Sequence, residues 1–341
     1  MKKYMTGVLV LVFILGSCGD QFLSSDYQDG DWFYLESKGA IMPVWVNGNK
    51  SSNIFILYLH GGPGQSAMGE KPMSGIPKLE QDYAVVYWDQ RGSGISQGNV
   101  RPETLTIEQC VEDLWKLVHL IRYKYDNPSL FLMGNSWGGT LGMVYLLDPA
   151  NQQYVSGWID IDGEHNWENS IKLSAQWVQD RAMEKIMEGE NAGRWQEELA
   201  WYANTTPSWD SGFVERHYEN LYDLNGITYN FSLTINYLDY LNTPMTFSYP
   251  MNNNYIDKNF SLPTTLNLRP EMHKITVPTL ILWGRHDGIL PVEMAQTAFD
   301  SLGTNDNAKY KYIFENSAHT PHIEEQDAFV EKVRIFIKEY K

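Results

Sequence analysis

The sequence predicts an α/β fold: a mostly parallel central sheet flanked by helices, with a helical cap inserted after the sixth strand. Three observations carry this expectation. Short apolar runs alternate with helical patterns from about residue 32 onward, the later runs are almost continuously apolar, and the alternation stops between about 163 and 270. Strands buried on both faces of a parallel sheet lose the polar half of the usual two-residue period, which accounts for the unbroken runs.

In chain order, the expected strands are WFYLE at 32–36, IMPVWV at 41–46, IFILYLH at 54–60, YAVVYWD at 83–89, LFLMG at 130–134, VSGWIDI at 155–161, TLILWG at 279–284 and YKYIFE at 310–315. Ile107, Cys110, Val111, Leu114, Leu117, Val118 and Ile121 repeat at the helical spacing, and Thr106 with Gln109 reads as a capping box that starts this helix. Strand, helix and strand in succession imply right-handed crossovers. The segment 163–270 is rich in Trp, Tyr, Glu and Asn and reads as several helices. It is too long for a connection and is expected to form a cap over one edge of a core made of 32–162 and 271–341.

The formal net charge is -16, with both signs spread along the chain, so a polyphosphate partner would be repelled and no nucleic acid is expected. The N-terminus is distinct. MKKYMTGVLVLVFILGSC has two lysines, then an apolar run from Val8 to Leu15 that is too short to span a bilayer, which takes roughly 20 residues. Its end, LGSC, resembles the lipobox of bacterial lipoproteins. That resemblance implies a signal peptide over 1–17, lipidation of Cys18, a flexible tether over 18–31, and attachment to a membrane of the bacterial cell envelope, outside the cytoplasm. A conventional cleaved signal with an incidental cysteine is the alternative. The other cysteine, Cys110, falls on the apolar helix face and reads as a small buried hydrophobe.

Chemistry concentrates in a few short motifs. Gly134-Asn135-Ser136-Trp137-Gly138 fits G-x-S-x-G between a strand and a helix, where a tight turn lifts the serine hydroxyl to the top of the sheet. A serine needs a base and the base needs an orienting carboxylate. Asp287 in LWGRHDGILP and His319 in FENSAHTPHIEE each lie just past a late strand, and the order Ser136, Asp287, His319 is the one the motif anticipates. LHGGPG, 59–64, follows another strand and offers backbone amides: Gly62, with Gly61 close behind, and Trp137 are the expected oxyanion donors. Asp162, at the end of a different strand, is the rival acid, and His322 the rival base. His319, His322 and Glu324 lack a complete further ligand set, so no metal is expected. His60 reads as structural, and Arg91, in the turn 89–94, as a brace between loops.

Taken together, HGGPG, DQRGSG, GNSWGG, GRHDGILP and SAHTPH resemble the α/β-hydrolase fold and, within it, the proline iminopeptidase family. The likeness covers roughly 32–162 and 271–341. It implies hydrolysis through an acyl-enzyme, with Ser136 as nucleophile, His319 as general base and acid, Asp287 as its partner and no metal or organic cofactor. The substrate would be a short peptide with a free, proline-type N-terminus. The chain departs from the family in two places: Asn135 stands where Gly is usual, and the Trp167-Glu168 pair comes just after a strand at the start of the cap, not where the family places its tryptophan-glutamate motif. Glu164 and Glu168, just beyond the sixth strand, are the candidate anchors for a substrate ammonium. An esterase acting on small acyl esters, and a binding protein on a hydrolase fold, remain the alternatives.

Overall fold

All eight expected strands form, and they lie side by side in one sheet in the order β1-β2-β4-β3-β5-β6-β7-β8. Their bounds are β1 Asp31–Ser37, β2 Ala40–Gly48, β3 Ile54–Leu59, β4 Ala84–Trp88, β5 Ser129–Asn135, β6 Gly157–Ile161, β7 Thr279–Gly284 and β8 Lys309–Phe314. The computed structural model describes residues 30–96, 99–229 and 265–341. The expected signal peptide, Cys18 and nearly all of the expected tether lie outside the described residues, as does 230–264 of the expected cap. Among the described residues no helix is long and apolar enough to cross a membrane.

β2 pairs antiparallel with β1 and β4, and every other neighbouring pair is parallel. The β1–β2 hairpin turns on Lys38 and Gly39, both at positive φ, the geometry that matches strand twist in a two-residue loop. β3, β4, β6 and β7 are buried along their whole length, which is why they read as unbroken apolar runs. The edge strands β1 and β8 alternate between covered and open positions. One face of the sheet packs Leu57, Val86 and Trp158 against helix residues Leu114, Leu117 and Leu141; the other packs Ile56, Phe131, Ile159 and Leu282 against Val333 and Phe336.

Helix α1, Ile107–Lys124, turns its apolar stripe inward, with Cys110 buried and its thiol pushed up to about 12 by burial. Thr106 Oγ1 accepts from the Gln109 N–H, but the Gln109 amide donates to Asp113 instead of returning to Thr106, so only half of the expected capping box exists. Asp113 is claimed by a larger demand. Arg91, in the turn after β4, donates from Nε and Nη2 to its two carboxylate oxygens, and also reaches Thr104 Oγ1 and the Ser37 carbonyl. Both side chains are fully buried. The expected brace is therefore a charged pair tying the β4 turn to α1 and to the end of β1.

Helix α2, Trp137–Leu146, follows β5, and three further helices follow β6: α3 Trp167–Glu188, α4 Ala192–Ala203 and α5 Ser211–Asp223. These three have a small core of their own, built on Ile171, Val178, Tyr202, Phe213 and Leu221. Helices α6, Glu293–Ser301, and α7, Gln326–Tyr340, complete the flanks of the sheet. The cap is pinned to the loop after β7 by a chain of polar contacts. Ser174 of α3 donates to the Gly288 carbonyl at 2.5 Å and contacts His217 Nε2 at 2.8 Å, while His217 Nδ1 contacts the Tyr202 hydroxyl at 2.7 Å.

Removing one partner of a buried ion pair strands the other charge in a dry interior. Asp113→Ala is therefore expected to cost about 3–5 kcal/mol in urea denaturation, whereas the paired replacement Arg91→Met with Asp113→Leu recovers most of that loss.

Candidate active site

The loops that follow β3, β5, β6, β7 and β8 meet at the carboxyl ends of adjacent parallel strands. β3 has β4 on one side and β5 on the other, so the loops after β3 and β5 straddle the point where strand order reverses, the usual position of a binding crevice in such sheets.

Ser136 stands at the turn from β5 into α2 with φ 53° and ψ -115°, a conformation costly for a residue with a Cβ. The surroundings hold it there. Its N–H donates to the Ile161 carbonyl at 2.9 Å, and its carbonyl accepts from Gly139 N at 2.9 Å and Glu164 N at 3.2 Å. The flanking glycines are demanded by close approach: a Cβ on Gly138 would lie 2.0 Å from the Leu59 carbonyl oxygen, and one on Gly134 would lie 2.4 Å from the Gly138 carbonyl oxygen. The elbow is thus pressed against the end of β3, where HGGPG begins. Asn135 is buried, reaching the Ile161 carbonyl with its amide.

His60 proves structural, as expected. Its Nε2 accepts from the Gln90 N–H at 3.0 Å, so Nδ1 carries the proton, 2.8 Å from the Gly61 carbonyl. Burial holds the imidazole neutral, down to about 4. Gln90 was not anticipated, yet it joins the two halves of the crevice: its amide donates to the His60 carbonyl at 3.0 Å and accepts from the Trp137 indole at 2.8 Å. Only a contact spanning 47 residues reveals it, and no local pattern in the sequence could. Gly62 lies in this turn at φ 117°, which only glycine adopts readily.

Asp287 and His319 meet as their order suggested. His319 Nδ1 lies 2.8 Å from Asp287 Oδ2, while Asp287 Oδ1 accepts from the N–H groups of Ile289 and Leu290, each at 2.9 Å. With Nδ1 donating to the carboxylate, the imidazole presents Nε2 as a base. His319 is held from its other side by its own N–H, which donates to the Ile227 carbonyl at 3.2 Å. The rival base, His322, is fully buried against Tyr58 and Phe329, and burial pushes it down to about 3. Neither of its nitrogens has a hydrogen-bond partner. Glu324 is occupied with the N–H groups of Ala318 and Tyr229. Asp162, Asp287 and His319 bring ligand-type atoms within 4.8 Å of one another, and His319 and Asp287 already share a hydrogen bond.

Glu164 and Glu168 part company. Glu168 is exposed on the first turn of α3. Glu164 is buried beside the elbow; its Oε1 accepts from Asn166 N at 2.7 Å, and its Oε2 is buried without a hydrogen bond. Burial raises its carboxyl to about 7, opposed by neighbouring Ser170, the Asn166 N–H and the charge of His319. A second buried carboxyl, Glu70, accepts from the Tyr58 hydroxyl and is likewise raised to about 7 by burial, with His319 near enough to pull it back. Asp89 caps the helix Ala67–Glu70, accepting from Ser66 Oγ and from the N–H groups of Ala67 and Ile95. Nothing in the local sequence distinguishes Glu70 from a surface glutamate.

A strained serine turn, an acid–imidazole pair and a glycine turn, each following a strand of the parallel part of the sheet, fit a hydrolase, and the chain belongs to the α/β-hydrolase fold family, whose model matches residues 54–326. Among its relatives, a probable aminopeptidase of Bacillus subtilis is 28% identical over 297 residues, covering 84% of this chain and 89% of the relative. A proline iminopeptidase of Saccharolobus solfataricus is 26% identical over 304 residues, covering 84% and 86%. In fold, the chain is similar to a proline iminopeptidase of Mycobacterium smegmatis (TM-score 0.65, 17% identity, 91% and 98% covered) and to a putative lipase of Acinetobacter baumannii (TM-score 0.63, 17% identity, 94% and 95% covered).

Glu164 also makes a thermodynamic statement. Its folded pKa of about 7 exceeds the ordinary 4.5, so the folded state holds the proton more tightly and stability falls as pH rises between those values. Glu164→Gln is expected to match the wild type near about pH 4 and to exceed it by roughly 1–3 kcal/mol near about pH 8, read from urea melts at both pH values.

Proposed function

We propose that the chain is a serine aminopeptidase, similar to proline iminopeptidases, that removes an N-terminal residue from short peptides through an acyl-enzyme on Ser136. His319 Nε2 takes the Ser136 proton as Oγ attacks the scissile carbonyl, and the N–H groups of Gly62 and Trp137 receive the oxyanion. His319 then returns the proton to the leaving amine, and a water deacylates the serine by the same route. Asp287 holds the imidazole in the required tautomer throughout.

The observation that carries the peptide reading is Glu164. It is a buried carboxyl beside the elbow, with one oxygen unpartnered and a proton it will release near neutrality. A substrate ammonium arriving there would take that oxygen and stabilise the anion, so that binding selects a free N-terminus. The names of the two sequence relatives agree with this reading. An esterase is the second reading, favoured by an apolar aromatic column running from the elbow into the cap: Trp137 lies edge-on to Trp167, which in turn packs on Trp209. The proposal extends to location. Residues 1–17 would leave as a signal, and Cys18 would carry the acyl chains that hold the enzyme on a membrane of the cell envelope.

Ser136→Ala is expected to lower kcat by about 10⁶ on proline 4-nitroanilide and to abolish labelling by a fluorophosphonate. Glu164→Gln is expected to raise KM at least about tenfold for proline 4-nitroanilide while leaving 4-nitrophenyl acetate hydrolysis unchanged, the loss of one charge-assisted contact. Equal KM values for free and N-acetylated proline substrates in the wild type would select the esterase. Cys18→Ala should move the full chain from the membrane to the soluble fraction of expressing bacteria; unchanged fractionation would rule out the anchor.

A further inference from the structure

The carboxyl that the sequence offered as a rival acid is too close to the triad to be a bystander. Asp162 follows β6 at φ 44° and is fully buried. Its Oδ1 accepts from the Gly284 N–H at 2.9 Å, and its Oδ2 is buried with no donor facing it. Asp162, Asp287 and His319 lie within 4.8 Å of one another, measured between one polar atom of each. Two carboxyl groups in contact in a dry site cannot both be ionised. Their surroundings decide which one keeps the charge: Asp287 receives three donors, from Ile289 N, Leu290 N and His319 Nδ1, whereas Asp162 receives one.

We infer that Asp162 is a neutral carboxylic acid at working pH and that its hydroxyl donates to the Asp287 carboxylate, making Asp162 a positioning residue for the Asp287–His319 pair. The inference rests on the proposed serine mechanism, since it assigns Asp287 the anionic role. The unpartnered Asp162 Oδ2 is then explained: an acceptor stranded against another acceptor becomes a donor once it carries the proton. Burial, followed by the charge of Asp287, raises this carboxyl well above the ordinary carboxylate range, and buried Asp160, raised to about 8, adds to the same effect. Asp287 thereby gains a fourth donor, so its negative charge stays on the imidazole side and its oxygens are fixed in direction. The proton does not move during the reaction.

The titratable groups around Asp162 are Asp287 after β7, His319 after β8, Asp160 within β6 and Glu164 two residues on. The test uses the second-order rate of fluorophosphonate labelling as a function of pH, which reads the nucleophile and its base without requiring a known substrate. Asp162→Asn supplies an amide donor in place of the hydroxyl, carries no charge and tolerates the positive φ. Its labelling rate is expected to stay within about threefold of the wild type, with the acid limb of the profile unmoved. Asp162→Gly also suits the backbone but offers no donor, and is expected to label about ten- to a hundredfold more slowly. If Asp162 were instead an anion, Asp162→Asn would remove a negative charge next to His319 and shift the acid limb downward; that shift, or equal rates for the Asn and Gly variants, would overturn the inference. A wild type that is not labelled at all would overturn the serine mechanism and this assignment together. Infrared difference spectra supply a readout independent of labelling: subtracting the Asp162→Asn spectrum from that of the wild type should leave one protonated-carboxyl carbonyl component, over and above those of the other buried carboxyls common to both, and its absence would overturn the inference.

Discussion

The structure depends on how closely the turn after β5 is driven against the end of β3. Gly138 approaches the Leu59 carbonyl so nearly that no side-chain carbon fits between them, and Ser136 is forced into a backbone conformation it would not adopt alone. That contact joins the elbow to the glycine turn 60–64, and Gln90 closes the gap by bonding to both His60 and Trp137. The strain at Ser136 is sustained because three strands converge on it: β3 through the glycine contact, β5 through its own chain, and β6 through the Ile161 carbonyl. A rigid sheet at its switch point is what allows a single residue to be held this way.

The fold was legible because burial leaves a mark on composition. Strands β3, β4, β6 and β7 are covered on both faces and so contain runs of apolar residues that no helix period explains, and all eight strands stand where the patterns put them. Asp287 and His319 were legible because each follows a recognisable strand in the order that G-x-S-x-G anticipates. What could not be read was anything set by a three-dimensional choice between neighbours. Gln109 completes a capping box on paper, but Arg91 brings charge to Asp113, and Gln109 turns there too. Glu164 and Glu168 look equivalent four residues apart; the loop buries one and the helix exposes the other.

Several carboxyl groups near the carboxyl ends of the strands are kept by burial from ionising freely. Glu70, Asp89 and Glu164 are raised to between about 6 and about 7, and Asp160 to about 8. Each such group costs stability at neutral pH, and two of them, Glu70 and Glu164, lie near enough to His319 to feel its charge.

The contact between Ser174 and the Gly288 carbonyl carries a mechanical implication. Gly288 directly follows Asp287, and a Cβ there would strike both Trp177 of α3 and Leu221 of α5. The cap is therefore fastened to the residue next to Asp287, the carboxylate that contacts His319. A cap of different sequence would have to bring its own donor to the Gly288 carbonyl and leave the same narrow space above that glycine.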